Sequence, residues 1–431
     1  MRAPVLSTPR LRVAAAFWLA AAACGGEFPG SALPLCRARL AKATEAPEPA
    51  PDAAPAVGVR LERRIGESTS GAGELFFGFL ADVAADAAGR IYAADAQAGH
   101  VLVFDPSGAV LDTIGRRGAG PGEFDAPTAL RVTWGDTLRV FDAGLWRITV
   151  YDSARRLVRT VRTEPEEEMG QLPEFEFDAD GTLYHLSYRG FARSVLSGVR
   201  ASGAVTVRGV NRIVRWDEVR SRWVELVDVP SVEVRVHEGS LLDVPYARAP
   251  LWKPAPRGGF WYGDSERYAL VRHDGNGVPL CVLRARYEPL AVTDSERQAY
   301  FDAADLSDAS PTRRAEVRRD RRGVPLPARR PALARLVVAA QGDLWIRPDR
   351  PADPAGFAAW HLYDSTGVVR GQIRLPDAFR PTEVRGDVVY GIERDSLGTT
   401  SVAVYRLQWT PRAADRMGLR PESSHGAEEA L

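Results

Sequence analysis

Lysine is nearly missing from this chain. Of its 56 basic residues only Lys42 and Lys253 are lysines, a bias that reflects coding rather than chemistry. Asparagine is as scarce, at Asn211 and Asn276. Excess charge of either sign is lacking too: 56 acidic residues balance the basic ones. That removes the usual support for a nucleic-acid binder or a general anionic-surface binder. Cysteine occurs three times (Cys24, Cys36, Cys281), with no CxxC, so neither a zinc knuckle nor a redox dithiol is written here. The apolar run Val13 to Ala23 has 11 residues, short of the about 20 that span a bilayer. There is no G-x-S-x-G elbow, and the six histidines (His100, His185, His237, His273, His361, His425) show no H-x-x-x-H spacing.

What is present at the N-terminus reads as an export signal, residues 1–23. Arg2, Arg10 and Arg12 precede the apolar run, which ends in Ala21-Ala22-Ala23-Cys24-Gly25-Gly26. This resembles a bacterial lipobox, with Cys24 as the lipidated residue. An A-x-A cleavage site at Ala21/Ala23 is the other reading. Gly25 after the cysteine implies outer-membrane sorting. Residues 24–56, rich in Ala and Pro, lack the apolar content for a core and read as an extended tether. Cys36 within it is either free or paired with Cys281.

From Gly89 to Pro127 short apolar strands alternate with tight turns. Ile91, Asp95, Phe104 and Asp105 recur 47 residues later as Leu138, Asp142, Tyr151 and Asp152. A meander of this period predicts a β-propeller blade. The core of a later blade, GGFWYGDSERYALVRHD, aligns on GRIYAADAQAGHVLVFD without a gap. Counting such units over residues 57–411 gives six blades, with Val57 to Ile65 expected to close the ring as an added strand of the last one. The inner strands are expected to open beside Pro127, Pro173, Pro250, Pro331 and Pro381, where no ladder donor is needed. Ile213 to Val229 should form the outer hairpin of blade 3, with Val232 to Val236 an extra strand. Residues 294–330 carry helical spacing after an Asp294/Ser295 start signal and form an insertion between blades 4 and 5. Residues 412–431 read as a flexible tail.

The segment Gly120-Pro121-Gly122-Glu123-Phe124-Asp125-Ala126-Pro127, the strand Ile91 to Asp95 and the hairpin Phe104-Asp105-Pro106-Ser107-Gly108 resemble the NHL repeat of six-bladed propellers. That resemblance implies an all-β, six-bladed fold. It implies no single activity, because such propellers serve as scaffolds, RNA binders, lyases and hydrolases.

Two functions are weighed. The first is a cell-envelope binding or scaffold module for a protein or small ligand, with no cofactor and no nucleic acid, held to the membrane by its lipid alone. Trp146 and Trp252, near turns and strand starts, are its candidate exposed anchors. Arg318 and Arg319 in the insertion are candidates for an anionic partner. The second is a calcium-dependent lactonase or esterase resembling regucalcin or paraoxonase, with Asp125, Glu174 and Glu383 as metal ligands at the channel mouth. The family's asparagine ligands have no counterpart: neither Asn211 nor Asn276 lies at a strand start. Asp95, Asp142 and Asp264 recur once per blade and are expected to cap turns rather than to act chemically.

Overall fold

Local turn chemistry sets the repeat. In the third-to-fourth strand hairpin of the first blade, the Asp105 carboxylate accepts the N–H groups of Ser107 (2.7 Å) and Ala109 (3.0 Å). Gly108 supplies the left-handed residue at φ +91°. The same device returns at Asp274 with Asn276 and Val278, and at Asp364 with Thr366 and Val368. Asp95 takes four backbone N–H groups, from Gly78, Phe79, Gln97 and Ala98. Asp142 takes those of Asp125, Ala126 and Leu145. These two aspartates therefore tie the second strand of a blade to the loop that feeds its first strand.

The computed structural model describes Cys36, Asp52 and residues 54–66, 75–165, 174–188, 205–237, 240–302, 310–312, 315, 321, 324 and 326–409. Six antiparallel sheets form a six-bladed β-propeller. Strand β1 (Gly58–Ile65) comes first in the chain but belongs to the last blade. Blade 1 holds β2 (Leu80–Ala85), β3 (Ile91–Asp95), β4 (His100–Phe104) and β5 (Val110–Ile114). Blade 2 holds β6 (Pro127–Thr133), β7 (Thr137–Asp142), β8 (Arg147–Tyr151) and β9 (Leu157–Arg162). Blade 3 has five strands: β10 (Phe175–Phe177), β11 (Leu183–Ser187), β12 (Val205–Asp217), β13 (Arg222–His237) and β14 (Ser240–Asp243). Blade 4 holds β15 (Pro250–Pro254), β16 (Phe260–Asp264), β17 (Ala269–His273) and β18 (Pro279–Arg284). Helix α1 (Asp294–Asp302) follows it. Blade 5 holds β19 (Leu333–Val338), β20 (Leu344–Pro348), β21 (Phe357–Tyr363) and β22 (Val369–Pro376). Blade 6 holds β23 (Phe379–Arg385), β24 (Val388–Arg394) and β25 (Thr400–Gln408), with β1 as its outer strand.

The closing strand sits where the sequence places it. Pairing runs from Gly58↔Gln408 to Ile65↔Val402, and the edge that β25 would otherwise expose is covered. The core lies between blades rather than within one. Tyr92 and Ala94 of blade 1, for example, pack on Leu130, Val132 and Val140 of blade 2, all buried. Burial of each such large side chain contributes about 1.5–3 kcal/mol.

Four expectations change in detail. The blade 3 hairpin is far longer than Ile213 to Val229: β12 and β13 pair from Val205↔Val236 to Asp217↔Arg222, so Val232 to Val236 continues β13. Helix α1 starts at Asp294, but its cap is Thr293 rather than Asp294 or Ser295. Thr293 Oγ1 accepts the Glu296 N–H (3.3 Å) while Glu296 accepts the Thr293 N–H (2.8 Å), a reciprocal capping box. Pro331 precedes its strand by two residues and Pro381 is the third residue of β23, whereas Pro127 and Pro250 open theirs. The tether is not free along its length. Cys36 is disulfide-bonded to Cys281 and buried with Tyr268 and Leu283. Asp52 lies 2.8 Å from Arg350 and 3.1 Å from His361 Nε2, and Pro55 and Val57 bond the backbone of Gln372. Pro173, Cys24 and the segments 1–23 and 412–431 lie outside the described residues.

Candidate functional site: the channel mouth

In an antiparallel blade the link from the fourth strand to the next blade and the link from second to third strand lie at the same end. The six inner strands all start at that end, around the ring's axis. The inner strands enclose a channel of about 1000 Å³, walled by residues from every blade and running from Phe79 and Pro250 at that end to Ala179 and Pro256 at the other. A volume of that size holds a small organic molecule.

Both departures from the regular repeat stand at this end. Strand β12 pairs with β11 only from Arg212 to Arg215, so Val205 to Asn211 run beyond the blade with β13 alongside. At about 3.3 Å per residue that ribbon projects roughly 20 Å. Arg208 on it is ion-paired with Asp264 (2.5 Å), and Glu233 with Arg248 of the β14–β15 link. Helix α1 lies in the β18–β19 link. Arg330 locks it down: its guanidinium pairs with Glu296 of the helix and with Asp349 (2.6 Å), and stacks 4.4 Å from the Tyr246 ring.

Strand register shows what each blade offers to the channel. The inner-strand residue opposite a fixed position of the second strand is Ala84, Arg131, Glu176, Lys253, Val337 and Glu383 in turn (partners Tyr92, Arg139, Tyr184, Trp261, Trp345 and Tyr390). Four of the six are charged, alternating basic and acidic. Glu176 and Lys253 pair directly. Burial works against the Lys253 charge, but Glu176 and Glu174 hold its pKa above the ordinary lysine value. Glu383 is 3% exposed. It accepts the Ala85 N–H (2.9 Å) and Arg385 Nε (2.6 Å), with Arg131 at 3.8 Å.

Nearer the mouth stands Asp82. Burial, and then the Glu176 carboxylate, push its pKa up to about 7, although it accepts the N–H groups of Leu130 (2.9 Å) and Val83 (2.8 Å) and feels Arg380. The sequence already places this carboxyl at the channel mouth, but its shift comes from burial and then from Glu176 of blade 3.

The three carboxylates proposed as a calcium site do not come together. Glu174 lines the mouth. Glu383 is spent on Ala85 and Arg385. Asp125 sits in the glycine-rich loop and pairs with Arg117 (3.2 Å). Among the described residues no group of three or more His, Cys, Asp or Glu side chains is placed to hold a metal ion. The residues present therefore do not fit the regucalcin-like ligand set.

The tryptophan anchors also change. Trp252 is 3% exposed and packs with Tyr184, Phe260 and Tyr262 between blades 3 and 4. Trp146 is half-buried against Phe141 and Phe175. Both flank turns, where exposure is expected, but the inter-blade core takes up their rings. Among the described residues the open tryptophan is Trp134, 91% exposed on the β6–β7 turn, at the opposite end from the mouth. Arg318 and Arg319 lie outside the described residues. Of the histidines on blades, His185 and His273 stack on Phe175 and Phe260, and His361 bonds Tyr268 (2.9 Å). Burial lowers the His273 pKa to about 4, so it is a neutral core residue.

A family described as a 6-bladed beta-propeller matches residues 81–168. No curated protein sequence matches the chain. Among solved structures, virginiamycin B lyase from Staphylococcus aureus is 9% identical with a TM-score of 0.38, covering 82% of this chain and 100% of that one. A gluconolactonase from Xanthomonas campestris is 12% identical, TM-score 0.37, covering 81% and 98%. Regucalcin, a calcium-binding protein from Agrobacterium tumefaciens, is 12% identical, TM-score 0.38, covering 81% and 96%. Likenesses at this level bear on the fold alone.

Proposed function

We propose that this protein is an exported binding module of the bacterial cell envelope, of the NHL-repeat type, that takes a small ligand at its channel mouth. One observation carries the reading. The channel of about 1000 Å³ begins at the end where both irregular elements, the blade 3 ribbon and the α1 insertion, have been added to an otherwise regular ring. Loops that vary on a rigid scaffold are where function concentrates. Export is supported by the basic, then apolar, N-terminus and by the Cys36–Cys281 disulfide, a bond that persists in oxidising compartments. With two of three cysteines paired, Cys24 is left for lipid. A protein scaffold role for the same face belongs to this reading. A calcium hydrolase does not gain from the site, since its three candidate ligands are apart.

The test is a thermal-shift screen of small metabolites on the intact protein and on Ala334→Trp, which fills the mouth from β19. Ligands that stabilise the wild type by several degrees should lose that effect in the variant. Hits that act equally on both proteins would remove the channel as the site.

A further inference from the structure

The basic side of the mouth has no counter-charge of its own. Arg335 is the third residue of β19 and Arg380 the second of β23, and both line the cavity. Arg380 donates to the neutral Ala81 carbonyl (2.8 Å) and, among the described residues, has no ion pair. Arg347, opposite Arg335 in the sheet, has its counter-ion in Asp377. Among the described residues Arg335 has no hydrogen bond and no ion pair. Burial, followed by repulsion from Arg347 and Arg380, pulls its pKa below the ordinary arginine value, with Asp377 only partly offsetting them.

The acidic groups of the channel do not cure this. Glu176 is taken by Lys253, which Glu174 also faces; Asp82, Asp178 and Asp395 are taken by backbone N–H groups and Asp377 by Arg347. Further donors in the wall also lack acceptors: the Trp252 indole N–H, Thr128 Oγ1 and Arg131 Nε are buried without partners. Two like charges held together in a partly desolvated cavity store repulsion that an anion between them would relieve. A planar guanidinium grips an oxyanion through two parallel N–H bonds.

We infer that Arg335 and Arg380 form an oxyanion site. The ligand of the channel carries a carboxylate or phosphate that sits between blades 5 and 6, its remainder reaching toward Trp252 and Thr128. This rests on the reading of the mouth as a ligand site and names the ligand's chemistry.

The experiment titrates the intact protein with sodium citrate and, separately, sodium phosphate at low chloride, by calorimetry and by melting temperature. It is repeated with Arg335→Met, which keeps the aliphatic stem, with Ala334→Trp, and with the exposed Arg284→Gln on β18 as a control. Wild type and Arg284→Gln should bind at least one anion, and Arg335→Met should bind it at least tenfold more weakly. The anion preferred by the wild type separates carboxylate from phosphate ligands. Without anion, Arg335→Met should melt at or above the wild-type temperature, because repulsion is removed. A structural arginine would instead lower it, and that result overturns the inference. So does equal anion binding by wild type and Arg335→Met, or no binding of either anion. If neutral or cationic metabolites bind the wild type but not Ala334→Trp, while anions ignore Arg335, the channel reading stands and the oxyanion site falls. If nothing distinguishes Ala334→Trp, both fall.

Discussion

Asp82 is a carboxyl that the fold keeps protonated near neutrality. Its folded pKa, raised to about 7, lies above the unfolded value near 3.8. The folded state therefore holds more protons between those values, and stability falls as pH rises through them. Asp82→Asn should lift this penalty. The stability gained by the variant should grow between pH 4 and 7 and level off above, by about 2–4 kcal/mol. Urea denaturation across pH checks the slope, which a constant loss of one N–H bond would not mimic. His273 acts oppositely, since its depressed pKa makes stability rise from pH 4 to about 6.5 as the unfolded chain loses its proton. The sequence places Asp82 among the channel-mouth carboxylates and His273 in a repeat hairpin, but shows the pKa shift of neither. Those shifts come first from burial in the assembled ring, whereas the hairpin aspartates Asp105, Asp274 and Asp364, whose partners are two to four residues away, are legible at once.

At the scale of elements the same contrast holds. Blades 1, 2 and 4 are readable because each hairpin carries its own turn code. The blade 3 ribbon is not, because nothing local stops β12 and β13 at the blade's usual length; their pairing continues as long as both strands find partners. The insertion is readable as helix, yet its attachment through Arg330 is not, since Tyr246, Glu296 and Asp349 come from three separate links. Arg330→Ala leaves Glu296 and Asp349 unpaired at a mostly buried junction. It should cost about 2–4 kcal/mol and free α1. Amide exchange in Asp294–Asp302 should then quicken relative to the inner strands, a local effect that chemical denaturation alone would miss.

For the whole molecule, closure is the feature the sequence states most clearly and the disulfide the one it leaves open. β1 covers the last edge by pairing, with Arg64–Glu393 and Arg406–Glu62 across the seam. The Cys36–Cys281 bond closes a loop of 245 residues. Its removal by Cys36→Ser, or by reduction, should lower unfolding free energy by about 2–5 kcal/mol. A reduced urea midpoint without loss of the β-sheet circular dichroism signal checks this. The wild type under reductant should match the variant.

That bond also shortens a leash. For a Cys24 that carries lipid, the free span to the folded body ends at Cys36 rather than near Val57. Twelve residues reach at most about 40 Å when fully drawn out, against roughly 110 Å for the whole segment. The attachment is on β18, the outermost strand of blade 4, so a lipid at Cys24 would hold the ring by its rim. In such a lipid-anchored form, a reducing agent would let the ring reach nearly three times as far from the membrane.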